Sequence, residues 1–151
     1  MIHFTRGDIF AQPADAIVNP VNCVGVMGRG LALQFKRRHP DAFLAYRRAC
    51  AERRVRPGRM FMVDTGCQRP RWIVHFPTKR HWRDHSTIGD IEAGLRDLAA
   101  TITRHGIRSI AIPPLGCGLG GLDWRTVRPL VTACLAGTPA TVIVLEPPPG
   151  R

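Results

Sequence analysis

Two rhythms of apolar residues alternate along this chain. Short runs of apolar and β-branched residues read as strands, and longer stretches stepping by three and four read as helices. Ile2-His3-Phe4 predicts a first strand, with Gly7-Asp8 as the turn after it. Ala16-Ile17-Val18 predicts a second strand that ends at Asn19-Pro20. Leu31, Ala32 and Phe35 begin a helix that His39-Pro40 stops, because a residue before proline is pushed out of helical geometry. A second helix is expected from Asp41 to Arg53, then a turn at Pro57-Gly58 and strands at Met60–Val63 and Trp72–Phe76, the last broken by Pro77. The plainest helix follows. Ile88, Ile91, Leu95, Leu98 and Ile102 share one face, Thr87 with Asp90 reads as a capping box, and Gly106 sits past the end. Ser109–Ile112 reads as a buried strand, Asp123 as the cap of a helix running through Leu135, and Thr141–Leu145 as the last strand. Strands alternating with helices predict an α/β sandwich. There is no internal repeat. Pro147-Pro148-Pro149 ends regular structure, and 147–151 has the composition of the start of a linker.

Size and composition narrow the picture. At 151 residues and 44% hydrophobic, the chain suits a single domain, 1–151, which at this length buries roughly 70% of its extended-chain surface. No apolar run nears the roughly 20 residues of a membrane helix, and the N-terminus has no secretory pattern. Five cysteines with no C-x-x-C pair argue against a disulfide framework or a structural zinc, so a cytoplasmic location and no metal are expected. The formal net charge of +11 points to a polyanionic partner, nucleic acid or a phosphate-rich ligand. Almost all of it is arginine; Lys36 and Lys79 are the only lysines. The arginines between Arg37 and Arg59 could follow a DNA backbone or simply form a solvated helix face.

Candidate chemistry begins with two glycine-rich loops, each placed between a strand and a helix. The first is Asn22-Cys23-Val24-Gly25-Val26-Met27-Gly28-Arg29-Gly30 and the second Gly116-Cys117-Gly118-Leu119-Gly120-Gly121. Glycine lets main-chain N–H groups approach an anion, and a helix N-terminus adds the positive end of its dipole. The second loop matches G-x-G-x-x-G at Gly116, Gly118 and Gly121, and Glu146 lies where a dinucleotide fold puts its ribose-binding acid. The chain has no room after it for the remaining units of that fold, and the fingerprint does not account for the first loop. Two phosphate-cradling loops suit a ligand with a diphosphate in its middle, such as ADP-ribose.

Gly7-Asp8-Ile9, Asp15-Ala16-Ile17-Val18-Asn19-Pro20-Val21-Asn22, the Gly25–Gly30 loop and Ile112-Pro113-Pro114-Leu115-Gly116-Cys117-Gly118 together resemble the macrodomain family in order and spacing, across nearly the whole chain. The resemblance implies a three-layer αβα sandwich around a central mixed sheet, binding ADP-ribose in a cleft over the strand ends without a cofactor. Cys23–Ala32 and Thr78-Lys79-Arg80 resemble the terminal ADP-ribose glycohydrolase branch. Phe76-Pro77-Thr78-Lys79-Arg80-His81-Trp82 is similar to bacterial antitoxins of that branch. These remove ADP-ribose from thymidine in single-stranded DNA, where a DarT-like DNA ADP-ribosyltransferase toxin attaches it. The implied partners are therefore ADP-ribose, ADP-ribosylated single-stranded DNA and such a toxin, met by a monomer with no membrane contact. Asp8 and Ile9 would meet the adenine and Asn22 the distal ribose. Gly25, Val26, Met27, Gly28 and Gly30, with Pro114, Leu115, Gly116, Cys117, Gly118, Leu119 and Gly120, would wrap the diphosphate and that ribose, with Thr78 alongside. Lys79 matches the branch's catalytic lysine. The human member has a catalytic aspartate where this chain has Gly120, so an aspartate-assisted mechanism is not expected.

A lysine after a strand-ending Pro-Thr is, on residues alone, a surface charge or phosphate partner as readily as a nucleophile. The resemblance implies the nucleophile. A neutral amine can form a Schiff base with the anomeric carbon of the ring-opened sugar, and water can then resolve it. Arg80 and desolvation would lower its pKa in the needed direction, and arginine could not replace it. His75, His81 or His85 could shuttle a proton, Trp82 could stack on a base or pack in a loop, and Cys117 reads as a small filler. Hydrolysis of another ADP-ribose conjugate (a protein ester, O-acetyl-ADP-ribose or ADP-ribose-1″-phosphate) and a non-catalytic ADP-ribose reader are the alternatives.

Overall fold

The computed structural model describes residues 1–149; the end of the expected linker, residues 150 and 151, lies outside them. Six strands form one sheet: β1 (Ile2–Thr5), β2 (Ala16–Val21), β3 (Phe61–Asp64), β4 (Trp72–Pro77), β5 (Ser109–Ile112) and β6 (Thr141–Leu145). Their order is β1-β6-β5-β2-β4-β3, with β3 antiparallel to β4 and every other neighbour pair parallel. Four helices complete the sandwich: α1 (Gly30–Arg38), α2 (Pro40–Ala51), α3 (Ile88–Arg104) and α4 (Trp124–Leu135). The expected three-layer fold around a mixed sheet is the one observed.

Period-two alternation sorts the strand side chains between the faces. Ala16, Val18, Val74, Phe76, Ile110, Ile112, Val142 and Val144 pack with α3 and α4. Ile17, Ile73, Ala111 and Leu145 turn to the other face and meet Phe35 of α1 and Ala42 of α2. The periodic residues of α3, Ile91, Leu95, Leu98 and Ile102, are fully buried, each contributing about 1.5–3 kcal/mol of hydrophobic stabilisation. α3 lies close to the sheet because Gly94 has no side chain; a Cβ there would overlap the Phe76 ring.

Several details differ from the sequence expectation: α2 spans Pro40–Ala51 and not Asp41 to Arg53, and β4 runs through Pro77. β2 does not stop at Asn19-Pro20 but pairs with β4 through Val21. Its ladder to β5 covers only Ala16 and Ile17, so Pro20 has one partner strand, the edge-like setting in which strands accept proline. Met60 stays outside β3, its N–H held by Asp97 Oδ2 at 2.7 Å. The capping box is half formed: Thr87 Oγ1 accepts from Asp90 N at 3.3 Å, while the Asp90 carboxylate meets Arg80 at 3.4 Å.

The chain leaves β2 through α1 and α2 toward the β3 edge, and leaves β5 through α4 toward the β1 edge. Neighbouring parallel strands whose connections depart in opposite directions open a crevice beyond their carboxyl ends. Both glycine loops hang over it.

Candidate functional site

A cleft of about 770 Å³ occupies that crevice, with three walls. The first is loop 1, from Asn22 to Gly30, with the start of α1. The second is loop 2, from Pro113 to Gly121. The third is the segment after β4, Thr78 to Trp82. Of the residues expected at the site, Asn22, Val26, Gly28, Gly30, Thr78, Lys79, Pro114, Gly116, Gly118, Leu119 and Gly120 line the cleft. Pro20, Val21, Arg29, Leu31, Ala32, Trp82 and Pro113 line it too. The loop sequence itself carries a signal for Arg29, Leu31 and Ala32, which sit where α1 begins. No side chain caps that start, so first-turn N–H groups are open to an anion.

Asn22 organises loop 1. Its Oδ1 accepts from Val24 N at 3.0 Å and Val26 N at 3.4 Å, and its Nδ2 donates to Val26 O at 2.8 Å. The Tyr46 hydroxyl lies 2.8 Å from both Asn22 O and Oδ1. Burial raises the Tyr46 pKa, so this phenol remains a donor. The carbonyl of the Asn22 amide is thus spent inside the loop, and one Nδ2 hydrogen is left for a ligand. Gly25 faces Arg47 and Cys50 of α2 instead of the cleft. Met27 is buried with Tyr46 and Phe43 as a plug beneath the loop.

Loop 2 is built by close main-chain approach. A Cβ on Gly120 would come 2.6 Å from Gly116 O and would collide with Ser86 Oγ. Ser86 N also donates to Gly120 O at 3.0 Å. No carboxylate side chain fits at position 120 in this geometry. Leu115 is fully buried in the core. Cys117 does not line the cleft; its Sγ lies 3.5 Å from Leu115 O, and burial and Asp123 push its pKa up to about 11. A protonated, half-buried thiol fits the filler role.

The third wall is stitched to the first. Thr78 N donates to Val21 O at 2.8 Å and Cys23 N to Arg80 O at 3.2 Å. Lys79 Nζ donates to the Trp82 carbonyl at 3.0 Å. Its pKa is lowered, first by desolvation and then by the Arg29 guanidinium, with Asp84 pulling the other way. The assisting cation is therefore Arg29 from loop 1 and not the adjacent Arg80, which is turned to Asp90. None of the three histidines lines the cleft. His75 is buried beside Asn19 Nδ2, with its pKa lowered to about 3 by burial. His81 Nδ1 accepts from Arg83 N at 3.2 Å, and His85 is exposed.

Asp8 and Ile9 follow β1, two strands away from β5, and do not line the cleft. Asp8 Oδ1 caps the 3-10 turn that follows it through Phe10 N at 2.9 Å, and Ile9 is buried in the α1 face of the core. Glu146 accepts from Trp124 Nε1 at 3.1 Å and faces Arg128, so it is engaged away from the cleft. Among the described residues no group of three or more His, Cys, Asp or Glu could hold a metal. No helix there is long and apolar enough to cross a membrane.

A family model described as Macro domain matches residues 18–131. The chain is 48% identical to a DNA ADP-ribosyl glycohydrolase of Mycobacterium tuberculosis, over 99% of this chain and 43% of that protein. It thus spans less than half the length of that relative. Among solved structures, the macrodomain of Thermus aquaticus DarG superposes with a TM-score of 0.94 at 47% identity, covering 97% of this chain and 99% of that one. Thermosipho africanus DarTG in complex with ADP-ribose superposes with a TM-score of 0.87 at 34% identity, covering 99% of this chain and 42% of that one. The switch-point cleft between two glycine loops and these likenesses agree: the chain belongs to the macrodomain family and resembles the DarG macrodomains over nearly its whole length.

Proposed function

We propose that this domain binds ADP-ribose in the cleft and removes it from thymidine in single-stranded DNA, acting as the antitoxin to a DarT-like DNA ADP-ribosyltransferase in the cytoplasm. The observation that carries this reading is the position of Lys79. Its amine, with a lowered pKa, belongs to the same cleft wall that faces both glycine loops. The M. tuberculosis relative bears the name DNA ADP-ribosyl glycohydrolase, and the T. africanus structure is described with ADP-ribose; both favour this substrate.

The main-chain N–H groups of loop 2 and of the α1 start hold the diphosphate, and the remaining Nδ2 hydrogen of Asn22 faces the distal ribose. The neutral Lys79 amine attacks the anomeric carbon. The carbon–nitrogen bond to the base breaks, and the amine's proton ends on the base nitrogen. Opening of the ribose ring, with a proton going to the ring oxygen, turns the lysine adduct into a Schiff base. Water adds to the imine, releases the amine, and leaves ADP-ribose free to close again. Arg29, from the same loop as Asn22, favours the neutral amine.

The test offers DNA-linked and protein-linked ADP-ribose side by side to the wild type, Lys79→Ala and Lys79→Arg, in single-turnover assays. Both variants should lose turnover by at least about 10³-fold while calorimetry still detects uptake of ADP-ribose. Lys79→Arg turning over near the wild-type rate would remove the nucleophile, because guanidinium stays protonated. Release from protein with none from DNA would transfer the reading to another ADP-ribose conjugate.

A further inference from the structure

Single exposed apolar residues are ordinary on a protein surface, but a cluster at the mouth of a site calls for a partner. Six large apolar side chains stand exposed among the described residues. Three of them, Val26 (41%), Trp82 (40%) and Leu119 (53%), come from the three different walls of the cleft, and each both lines it and stays open to solvent. Val26 and Leu119 also line the cleft that would hold ADP-ribose, and Trp82 adds an exposed aromatic plane to their solvent-facing surface. The cations Arg29 and Arg83 stand near these side chains, with Asp84 in the same turn as Trp82. Arg83 lies with its guanidinium 4.9 Å from the Trp82 ring centroid, and no carboxylate among the described residues comes within 4 Å of it. An exposed aromatic plane with an unpaired guanidinium over it matches the alternation of base and phosphate along a single strand.

Trp82 has a second connection. Its main-chain carbonyl is the acceptor for Lys79 Nζ at 3.0 Å, so the indole and the contact that restrains the amine belong to one residue.

We propose that Trp82 is a specificity-determining residue of this site. Its indole stacks on a nucleobase next to the ADP-ribosylated nucleotide, between the apolar side chains of Val26 and Leu119, while Arg83 faces the neighbouring phosphate. This rests on the DNA reading above. The contact gives the cleft a preference for a strand over a small conjugate, and because Trp82 also holds Lys79, the preference extends to kcat as well as KM.

Oligonucleotides carrying one ADP-ribosylated thymidine, with the flanking base on either side intact or removed as an abasic site, provide the test. For the wild type, kcat/KM should fall about 5- to 150-fold when the stacked neighbour is abasic, the range set by base–aromatic stacking. Trp82→Ala should show a comparable loss on the intact strand and no further loss on the abasic one. Trp82→Phe should keep part of the preference. Wild-type indifference to both abasic strands overturns the proposal, and so do losses from the indole and the base that simply multiply. If Trp82→Ala does not fold, the wild-type and Trp82→Phe arms decide by the same criteria. A wild type that takes up free ADP-ribose yet releases none from any strand refutes the DNA reading itself, a result distinct from indifference at the flanking base.

Discussion

Loop 1 is held by side chains: the Asn22 amide spans the turn, and the Tyr46 hydroxyl, reaching in from α2, fixes Asn22 from behind. Loop 2 is held by the lack of them, with Gly120 seated against Gly116 O and Ser86 where a Cβ has no room. Both present main-chain groups to the same cleft. Loop 1 also carries side chains, Val26 and Arg29, that line the cleft, and Arg29 acts on Lys79. The contrast separates two tasks. Loop 2 defines a fixed shape for the ligand, whereas loop 1 can be adjusted in charge and surface without altering that shape.

The largest effect should come from adding atoms to the shape-defining loop. Gly120→Ala forces a shift of both Ser86 and the Gly116 main chain. Overpacking of this kind costs about 1–3 kcal/mol, and the displacement should weaken ADP-ribose binding by roughly 10- to 100-fold in calorimetry. Pairing it with Ser86→Gly sharpens the comparison. The double variant removes only the side-chain clash, so it should recover less than half of the lost binding free energy. Full recovery would mean that Ser86, and not the main chain, sets loop 2.

Tyr46→Phe addresses loop 1 with a smaller effect. It deletes one buried hydroxyl and leaves Asn22 with fewer partners, which should cost about 1–2 kcal/mol of unfolding free energy. ADP-ribose affinity should fall by a few-fold only, because the Asn22 bonds to Val24 and Val26 remain. Denaturant melts and calorimetry on the same variant read the two numbers. A loss of affinity as large as that of Gly120→Ala would erase the distinction between the loops.

Much of this architecture is legible in the sequence, since strand runs, helix steps and glycine loops each report a local preference. The period of α3 and the turn at Gly106 are of this kind. Facing is the part that local patterns miss. Within one loop Val26 turns to the cleft and Met27 to the core, and Leu115 sits in the core beside Gly116 in the cleft wall. No periodicity governs irregular backbone, so adjacency to glycine could not separate them. Arg80 and Arg29 show the same limit for charge. Arg80 is next to Lys79 in sequence, yet Asp90, one turn into the site-facing end of α3, engages it. The residue that influences the amine comes from about fifty positions away in sequence, brought near by the parallel pairing of β2 and β4.

That cross-loop influence gives the smallest and most specific test. Desolvation is the leading cause of the lowered Lys79 pKa and Arg29 the second, so Arg29→Ala should raise the pKa without restoring the ordinary lysine value. The sign follows from the chemistry. Turnover needs the neutral amine, whose fraction grows as pH rises through the lysine pKa, so the rate climbs with pH and then levels. Raising the pKa must move the climbing limb to higher pH, by less than about one unit given an exposed cation in salt, and leave the plateau of single-turnover release nearly unchanged. Added salt should shift the wild-type limb in the same direction and the variant's hardly at all. A limb that stays in place at low ionic strength would show that loop 1 touches the ligand but not the lysine, and the two loops would then differ only in how they are held.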